Sequence, residues 1–227
     1  MALRRIRLTL QPKATEALSL NWPEQLPLGV RELALDQVRK ESSVHRPKVL
    51  ARLCAYTDSL RVLFRVEDRY MIARERGFNE MVCLDSCVEL FIQPPGARGY
   101  LNFEFNALGN QHCSYITNPE RTKDGFAAFR LLSEAEGEQV QVVSSVAKPI
   151  DLVDPSAQVW LLGFEVPWAL FAEVTGQAKI QGEWRANLYK CADESTHPHW
   201  MSWSPVSALN FHLPEDFGQI LINKLYG

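Results

Sequence analysis

The chain has 227 residues, of which 46% are hydrophobic and 22% are charged, and its formal net charge is −3. This composition is typical of a soluble globular protein and carries no signature of disorder. The nearly neutral charge excludes the strongly basic surface on which nucleic-acid binding or adsorption to an anionic membrane depends.

The N-terminal sequence and the cysteines indicate the cellular compartment in which the protein is expected. The first 20 residues include basic side chains but no apolar run long enough for a signal peptide. No stretch approaches the roughly 20 apolar residues that span a bilayer. We therefore expect a cytoplasmic protein, or a secreted one if a signal segment has been removed. Five cysteines without a CxxC pair predict free, mostly buried thiols: Cys54, Cys83, Cys87, Cys113 and Cys191.

Short runs with a two-residue period dominate the chain. Residues 32–42 favour a short helix, and a second helix is predicted with Pro167 at its first helical position and Gly176 beyond its end. Between and around them, β-type runs alternate with turn residues. The predicted strands cover residues 60–67, 86–93, 100–107, 139–147, 158–166 and 184–190. Many strands and little helix predict one all-β domain over residues 1–227, folded as a β-sandwich.

Three of these strands carry polar residues of the same parity. Side chains on one face of adjacent strands lie roughly 5 Å apart, so they can form a continuous hydrogen-bonding floor. The ordinary interpretation is a solvated face, the default of an antiparallel sheet. Asn, Tyr and carboxylates replace the usual Lys/Glu mixture, however, which favours a binding surface. The residues are Glu89, Tyr100, Asn102, Glu104, Asn106, Arg185, Asn187 and Tyr189.

Residues 182–222 concentrate aromatic and histidine side chains. Rigid rings interleaved with hydrogen-bonding groups suit hydroxyl-rich ligands such as sugars. Trp184 has the parity opposite to the polar residues of its strand and is predicted to lie in the core, together with Trp203. The groups that remain as ligand-facing candidates are Tyr189, His199, Trp200 and Phe211.

Three segments carry a resemblance to a known family. DSCVELFIQPPGARGYLNFEFNALGN, ANLYKCADESTHPHWMSWSPV and FHLPEDFGQILI resemble carbohydrate-binding module family 9, especially its family 9-like single-domain proteins, over residues 45–223. The resemblance implies an immunoglobulin-like antiparallel β-sandwich with a few short helices. It also implies sugar binding on a concave sheet face, often beside glycoside hydrolases of polysaccharide catabolism.

The resemblance also implies roles for individual residues. Glu89 matches the family's sugar-bonding glutamate, whereas Glu104 stands where members have an arginine and Tyr189 where they have a glutamine. The two tryptophans that sandwich a sugar in the family are replaced here by Val82 and Phe211. The clamp is therefore absent or rebuilt, with Trp200 and His199 as the candidates for rebuilding it.

We thus predict a non-catalytic module that binds a mono- or oligosaccharide, without nucleic-acid or membrane partners. No catalytic residue and no cofactor are predicted, and a structural calcium ion and the oligomeric state are left open. The predicted ligand-binding residues are Glu89, Asn102, Glu104, Asn187, Tyr189, His199, Trp200 and Phe211.

Three alternatives stay open at this point. A glycoside hydrolase would use Glu89 and Glu104 as its carboxylate pair. A metal-dependent hydrolase would use the cluster formed by His197 and His199, with His212 as a further ligand. A degenerate sandwich that serves protein interaction is the third alternative.

Overall fold

Two β-sheets pack face to face in the computed structural model, which describes residues 2–123 and 125–224. The smaller sheet runs in the order β10-β11-β5-β4-β2, and the larger one in the order β1-β14-β12-β6-β7-β8-β9, with β13 on β12 and β3 on β13. β1 is parallel to β14, and every other strand pair in the described chain is antiparallel. The predicted β-sandwich is confirmed.

The elements have the following bounds. The larger sheet contains β1 (Arg5–Thr9), β3 (Gln37–Val38), β6 (Cys87–Gln93), β7 (Tyr100–Asn106), β8 (Gln111–Thr122), β9 (Gly125–Leu131), β12 (Gly182–Cys191), β13 (Trp200–Ser202) and β14 (Gly218–Asn223). The smaller sheet contains β2 (Arg31–Ala34), β4 (Lys48–Ala55), β5 (Ser59–Ala73), β10 (Gln141–Ser144) and β11 (Ile150–Pro167). Two short helices, α1 (Glu134–Gly137) and α2 (Trp168–Thr175), and 3-10 turns at Val82–Leu84 and Pro214–Asp216 complete the fold.

The predicted strands are found as β5, β6, β7, β10, β11 and β12, and the predicted second helix is α2. Pro167 caps α2 rather than opening it, with ψ at 142°, and Gly176 ends it in the left-handed region at φ 71°. The helix predicted from Glu32 is wrong, because this segment forms β2 and β3. Leu33 and Leu35 are buried whereas their neighbours are exposed, so the segment has the two-residue period of a strand.

The core lies between the sheets and follows the predicted alternation. Leu101, Phe103 and Phe105 of β7 are fully buried against the smaller sheet, where Phe105 and Phe164 have ring centroids 4.6 Å apart. Trp184 and Trp203 are in this core, as predicted. All five cysteines are free, and Cys83 alone among them is only half-buried. Neither α-helix of the described chain is long and apolar enough to cross a membrane.

The outer face of the larger sheet is covered rather than solvated. A second apolar cluster on this face joins outward-pointing strand residues to side chains of residues 203–217, which we call the covering segment. Its members are Val82, Cys87, Phe91, Tyr100, Ile116, Tyr189, Cys191, Val206, Phe211 and Phe217. The polar residues of the same parity are buried as well, except for the half-buried Arg185, which distinguishes this face from an ordinary solvated one.

Close packing at the start of β7 gives a stability prediction. A Cβ atom added at Gly99 would lie 2.1 Å from the carbonyl oxygen of Ile116, a backbone atom of β8 that cannot move aside cheaply. We expect Gly99→Ala to lower the free energy of unfolding by about 1–3 kcal/mol in urea titrations. Gly77→Ala is the control, because its Cβ would meet only the flexible Glu80 side chain at 3.3 Å. Equal stability of the two variants would contradict the prediction.

Candidate functional site

Cross-strand register brings the predicted polar residues together on the outer face. Glu89 of β6 pairs with Glu104 of β7, and Asn102 of β7 pairs with Ser114 of β8. His112 of β8 lies opposite Glu104 and extends the same row. Since directly opposed side chains are roughly 5 Å apart, these groups form one continuous polar floor.

A cavity of about 570 Å³ lies above this floor. Its polar lining comes from Glu89, Asn102, Glu104, His112, Ser114, Arg121, Asp193, Asn210 and His212, with the thiol-bearing Cys83 and Cys191. Its apolar lining comes from Met81, Phe126, Phe129, Trp200, Leu209 and Phe211. Polar groups below and aromatic rings at the sides match the usual make-up of a small-molecule site.

Five of the eight predicted ligand-binding residues line the cavity, namely Glu89, Asn102, Glu104, Trp200 and Phe211. The other three, Asn187, Tyr189 and His199, do not line it, and their polar atoms bond to the protein. Asn187 Nδ2 donates to the Ser204 carbonyl at 3.0 Å, and Asn187 Oδ1 accepts from the Ser204 N–H at 2.8 Å. The Tyr189 hydroxyl donates to the Phe211 carbonyl, and the Tyr189 ring stacks on the Phe211 ring at 4.1 Å. Through these contacts Asn187 and Tyr189 hold the covering segment against the outer face of the larger sheet.

The Glu89–Glu104 pair is buried and electrostatically unusual. Burial raises the pKa of Glu89 well above its ordinary value, and the neighbouring Glu104 raises it further. Burial likewise raises the pKa of Glu104. Both acids therefore shift in the same direction for the same main reason. A glycosidase needs the environments of its two carboxyls to separate their pKa values, and this arrangement does not separate them.

Two buried polar atoms of the floor lack a protein partner among the described residues. They are Asn102 Oδ1 and Ser114 Oγ. The amide nitrogen of Asn102 is engaged, since it donates to Glu104 Oε1 at 2.8 Å. A buried polar atom without a hydrogen bond costs about 1–3 kcal/mol, so each such atom calls for a ligand or a water. Both residues line the cavity, where a ligand or a water molecule can form the missing hydrogen bond.

Sequence reasoning missed the contribution of β8 and β9. His112, Ser114 and Arg121 come from β8, whereas Phe126 and Phe129 come from β9. The Arg121 guanidinium lies 4.1 Å from the centroid of the Phe126 ring and holds that ring in place. Two signals were available: the alternation within QHCSYI and the Asp-Gly pair at 124–125, which favours a hairpin between two strands.

His199 belongs to a separate buried network on the core side of β12. Lys190 Nζ lies 2.7 Å from His199 Nε2 and 3.5 Å from Asp68 Oδ2. An ammonium group only donates, so His199 Nε2 accepts and His199 Nδ1 donates to the His197 carbonyl at 2.9 Å. Neither ring nitrogen of His199 has a free lone pair for a metal.

A metal-dependent hydrolase would use His197, His199 and His212, but these three histidines lie in two different places. The His197 ring stacks on the Tyr70 ring at 3.6 Å, beside the Lys190 network. His212 lines the cavity, and its Nδ1 is bonded to the Tyr100 hydroxyl at 2.9 Å. The three side chains are therefore not arranged as one ligand set.

Comparison with known proteins places the chain in a family. The model of carbohydrate-binding family 9 matches residues 28–222. The chain belongs to carbohydrate-binding family 9. No curated protein matches it. A structure described as a putative carbohydrate-binding protein from Bacteroides uniformis ATCC 8492 is 25% identical, with a TM-score of 0.79 over 98% of this chain and 100% of that one.

Two further family 9 structures share the fold. Both are modules from Caldicellulosiruptor kristjanssonii, one in complex with glucose and one with cellotriose. The first is 10% identical with a TM-score of 0.64, over 98% of this chain and 97% of that one. The second is 11% identical with a TM-score of 0.63, over 98% of this chain and 95% of that one.

The sequence resemblance assigns the two positions of a tryptophan clamp to Val82 and Phe211, and the structure places these two residues differently. Val82 is fully buried in the second apolar cluster and does not line the cavity, whereas the neighbouring Met81 is 56% exposed and does. Phe211 lines the cavity and is backed by Tyr189. Of the two residues considered for rebuilding the clamp, Trp200 lines the cavity and His199 does not.

The Lys190 network gives a second stability prediction. Burial works to raise the pKa of Asp68, but Lys190 and His45 together hold it below its ordinary value. Asp68→Asn leaves the fully buried Lys190 without its counter-charge, which we expect to cost about 3–5 kcal/mol of unfolding free energy. Asp36→Asn is the control, since it breaks an exposed ion pair with Arg4 worth about 0–1 kcal/mol. Urea titrations that give similar losses for both variants would contradict this.

His212 gives a prediction about pH. Burial, with a smaller contribution from Arg121, lowers the pKa of His212 to about 3. Between pH 3 and the unfolded value of about 6.5, the unfolded chain binds more protons, so stability falls as the pH is lowered. From pH 7 to pH 5, the wild type should lose about 2 kcal/mol more than His212→Asn.

The measurement is urea unfolding of both proteins at the two pH values. The other shifted histidine, His199, is present in both proteins and cancels in the comparison. Parallel losses of stability would mean that His212 titrates normally in the folded protein.

Proposed function

We propose that this family 9 domain binds a mono- or oligosaccharide in the cavity on the outer face of the larger sheet. The observation that carries the proposal is the pair of buried, unpartnered polar atoms, Asn102 Oδ1 and Ser114 Oγ, in a cavity with aromatic sides. Sugar hydroxyls can satisfy such atoms, while aromatic faces bury the apolar C–H surface of a pyranose ring.

Each part of the cavity has a role in this proposal. Asn102 Oδ1 accepts a hydrogen bond from a sugar hydroxyl, and Ser114 Oγ can donate or accept one. The Glu89–Glu104 pair offers acceptors when ionised and a donor when protonated. Trp200 lies at the mouth, held by a hydrogen bond from its indole N–H to Asp193 Oδ1 at 2.8 Å. Phe126 and Phe129 supply apolar surface from β9.

The volume of the cavity and the ligands found in structures with this fold both support a saccharide as the ligand. A cavity of about 570 Å³ is in the range of small-molecule sites, roughly 300–1,000 Å³. The family is defined by carbohydrate binding, and two structures with this fold hold glucose and cellotriose. Glucose and short cello-oligosaccharides are therefore the first ligands to test.

The test separates binding from stability with two serine variants. Isothermal titration calorimetry with glucose and cello-oligosaccharides should detect binding by the wild type. Ser114→Ala should weaken it roughly three- to tenfold, the value of one hydrogen bond, while leaving the unfolding free energy within about 0.5 kcal/mol or raising it. The protein loses no internal hydrogen bond in this variant.

Ser202→Ala is the matched control. Ser202 is also fully buried, but its hydroxyl donates to the Ser204 carbonyl at 2.7 Å, and it does not line the cavity. This variant should lose about 1 kcal/mol of stability and keep its affinity for the sugar. The proposal is wrong if no sugar in the panel binds at millimolar concentration, or if Ser114→Ala binds as tightly as the wild type.

A further inference from the structure

Two thiols and a carboxyl group meet at the floor of the cavity. Cys87 of β6 and Cys191 of β12 are directly paired across the two strands, and Glu89 follows Cys87 by two residues on the same face. One ligand atom from each of these three side chains lies within 4.8 Å of the other two. Cys191 Sγ lies 3.1 Å from Glu89 Oε1, with the thiol donating.

We propose that Cys87, Glu89 and Cys191 bind a thiophilic divalent cation of the zinc type. Zinc takes Cys sulfur at about 2.3 Å and carboxylate oxygen at about 2.0–2.2 Å, in tetrahedral geometry. Ligand atoms around such an ion are roughly 3.4–3.8 Å apart, so adjustments of about 1 Å would bring these three into place. Two sulfurs and one oxygen favour zinc over calcium or magnesium, which take oxygen ligands.

The surrounding charges favour a bound cation. Glu104 lies opposite Glu89, and Asp193 lines the same cavity, so three carboxyl groups are close to the two thiols. Lys190 offsets these charges only in part: it lowers the pKa of Glu89, but its ammonium group lies on the other side of β12 beside His199 and Asp68. A divalent ion would relieve the repulsion between the acids.

The thiols can become ligands although burial favours their neutral form. The hydrogen bond with Cys87 and then burial raise the pKa of Cys191, and burial raises the pKa of Cys87 to about 12. A bound metal ion reverses this preference, because a coordinating thiol is deprotonated outright. Each Cys then releases one proton, and Glu89 releases its own wherever it is protonated before the ion binds. The two thiolates and the carboxylate together carry one negative charge more than the ion neutralises.

An ion has a path to this site, and the site has room for a fourth ligand. Glu89 and Cys191 line the cavity together with the half-buried Cys83, whose carbonyl oxygen lies 3.5 Å from Cys191 Sγ. The fourth position would face the cavity, where water can occupy it. Three protein ligands with an open position are the arrangement of zinc sites that contact small molecules.

Cobalt titration of the reduced protein tests the proposal. The full chain is stripped with a chelator, kept in a thiol-free reductant and titrated with Co²⁺, the spectroscopic substitute for Zn²⁺. We expect a thiolate-to-cobalt charge-transfer band that saturates at one ion per chain and disappears when Zn²⁺ is added. Cys87→Ser should lose the band and bind Zn²⁺ more than roughly tenfold more weakly, since even changes outside the ligand shell cost that much.

Cys113→Ser is the matched control, because Cys113 is an equally buried thiol on the core side of the same sheet. It should keep both the band and the affinity for Zn²⁺. Melting curves of the metal-free variants check that each one folds. If Cys87→Ser does not fold, X-ray absorption of the zinc-loaded wild type decides the matter, and two sulfurs per zinc are expected.

Three results would overturn the proposal: no charge-transfer band in the wild type, a band unchanged in folded Cys87→Ser, or a zinc ion with no sulfur ligand. Sugar calorimetry on the metal-free protein is a separate experiment. Its failure would contradict the sugar proposal alone, because the metal site is argued from the thiols and not from the ligand of the cavity.

Discussion

The site depends on one constraint, the burial of a polar sheet face under the covering segment. The two-residue alternation of β6, β7 and β12 sends most apolar residues into the core, and it places most polar residues on the outer face beside the second apolar cluster. Because residues 203–217 exclude water from much of this face, each polar group there needs a partner. Asn187 and Tyr189 find theirs in the covering segment itself. Asn102 Oδ1 and Ser114 Oγ do not, and the cavity lies above them.

The same alternation explains why β12 serves two different environments. Tyr189 and Cys191 point to the outer face, whereas Lys190 between them points to the core side. A buried ammonium group requires a counter-charge, which Asp68 supplies from the smaller sheet. His199 completes that network and is thereby kept away from the ligand cavity. One face of β12 therefore belongs to the buried ion pair and the other to the cavity side of the sheet.

The sequence predicts which residues share a face of each strand. It does not predict that residues 203–217 cover the outer face of the larger sheet. The faces of β5, β6, β7 and β12 follow from alternation, which is a property of each strand alone. The short Leu33–Leu35 pattern was too brief to distinguish a strand from a helix, so β2 was mistaken for a helix. Asn187 and Asn102 look alike in the sequence. Their difference arises from where residues 203–217 lie, and that is decided by contacts between distant parts of the chain.

The sides of the cavity differ from the two-tryptophan clamp that the sequence resemblance implies. Glu89, which the sequence resemblance matches to a sugar-bonding glutamate of the family, lines the cavity, but Val82 contributes no ring to it. Phe126 and Phe129 of β9 contribute rings instead, and Arg121 stabilises the first of them. The covering that desolvates the carboxyl pair also strengthens any hydrogen bond made there, because electrostatic interactions are stronger at low dielectric. The β8–β9 hairpin therefore contributes to the lining of the cavity together with the strands of the floor.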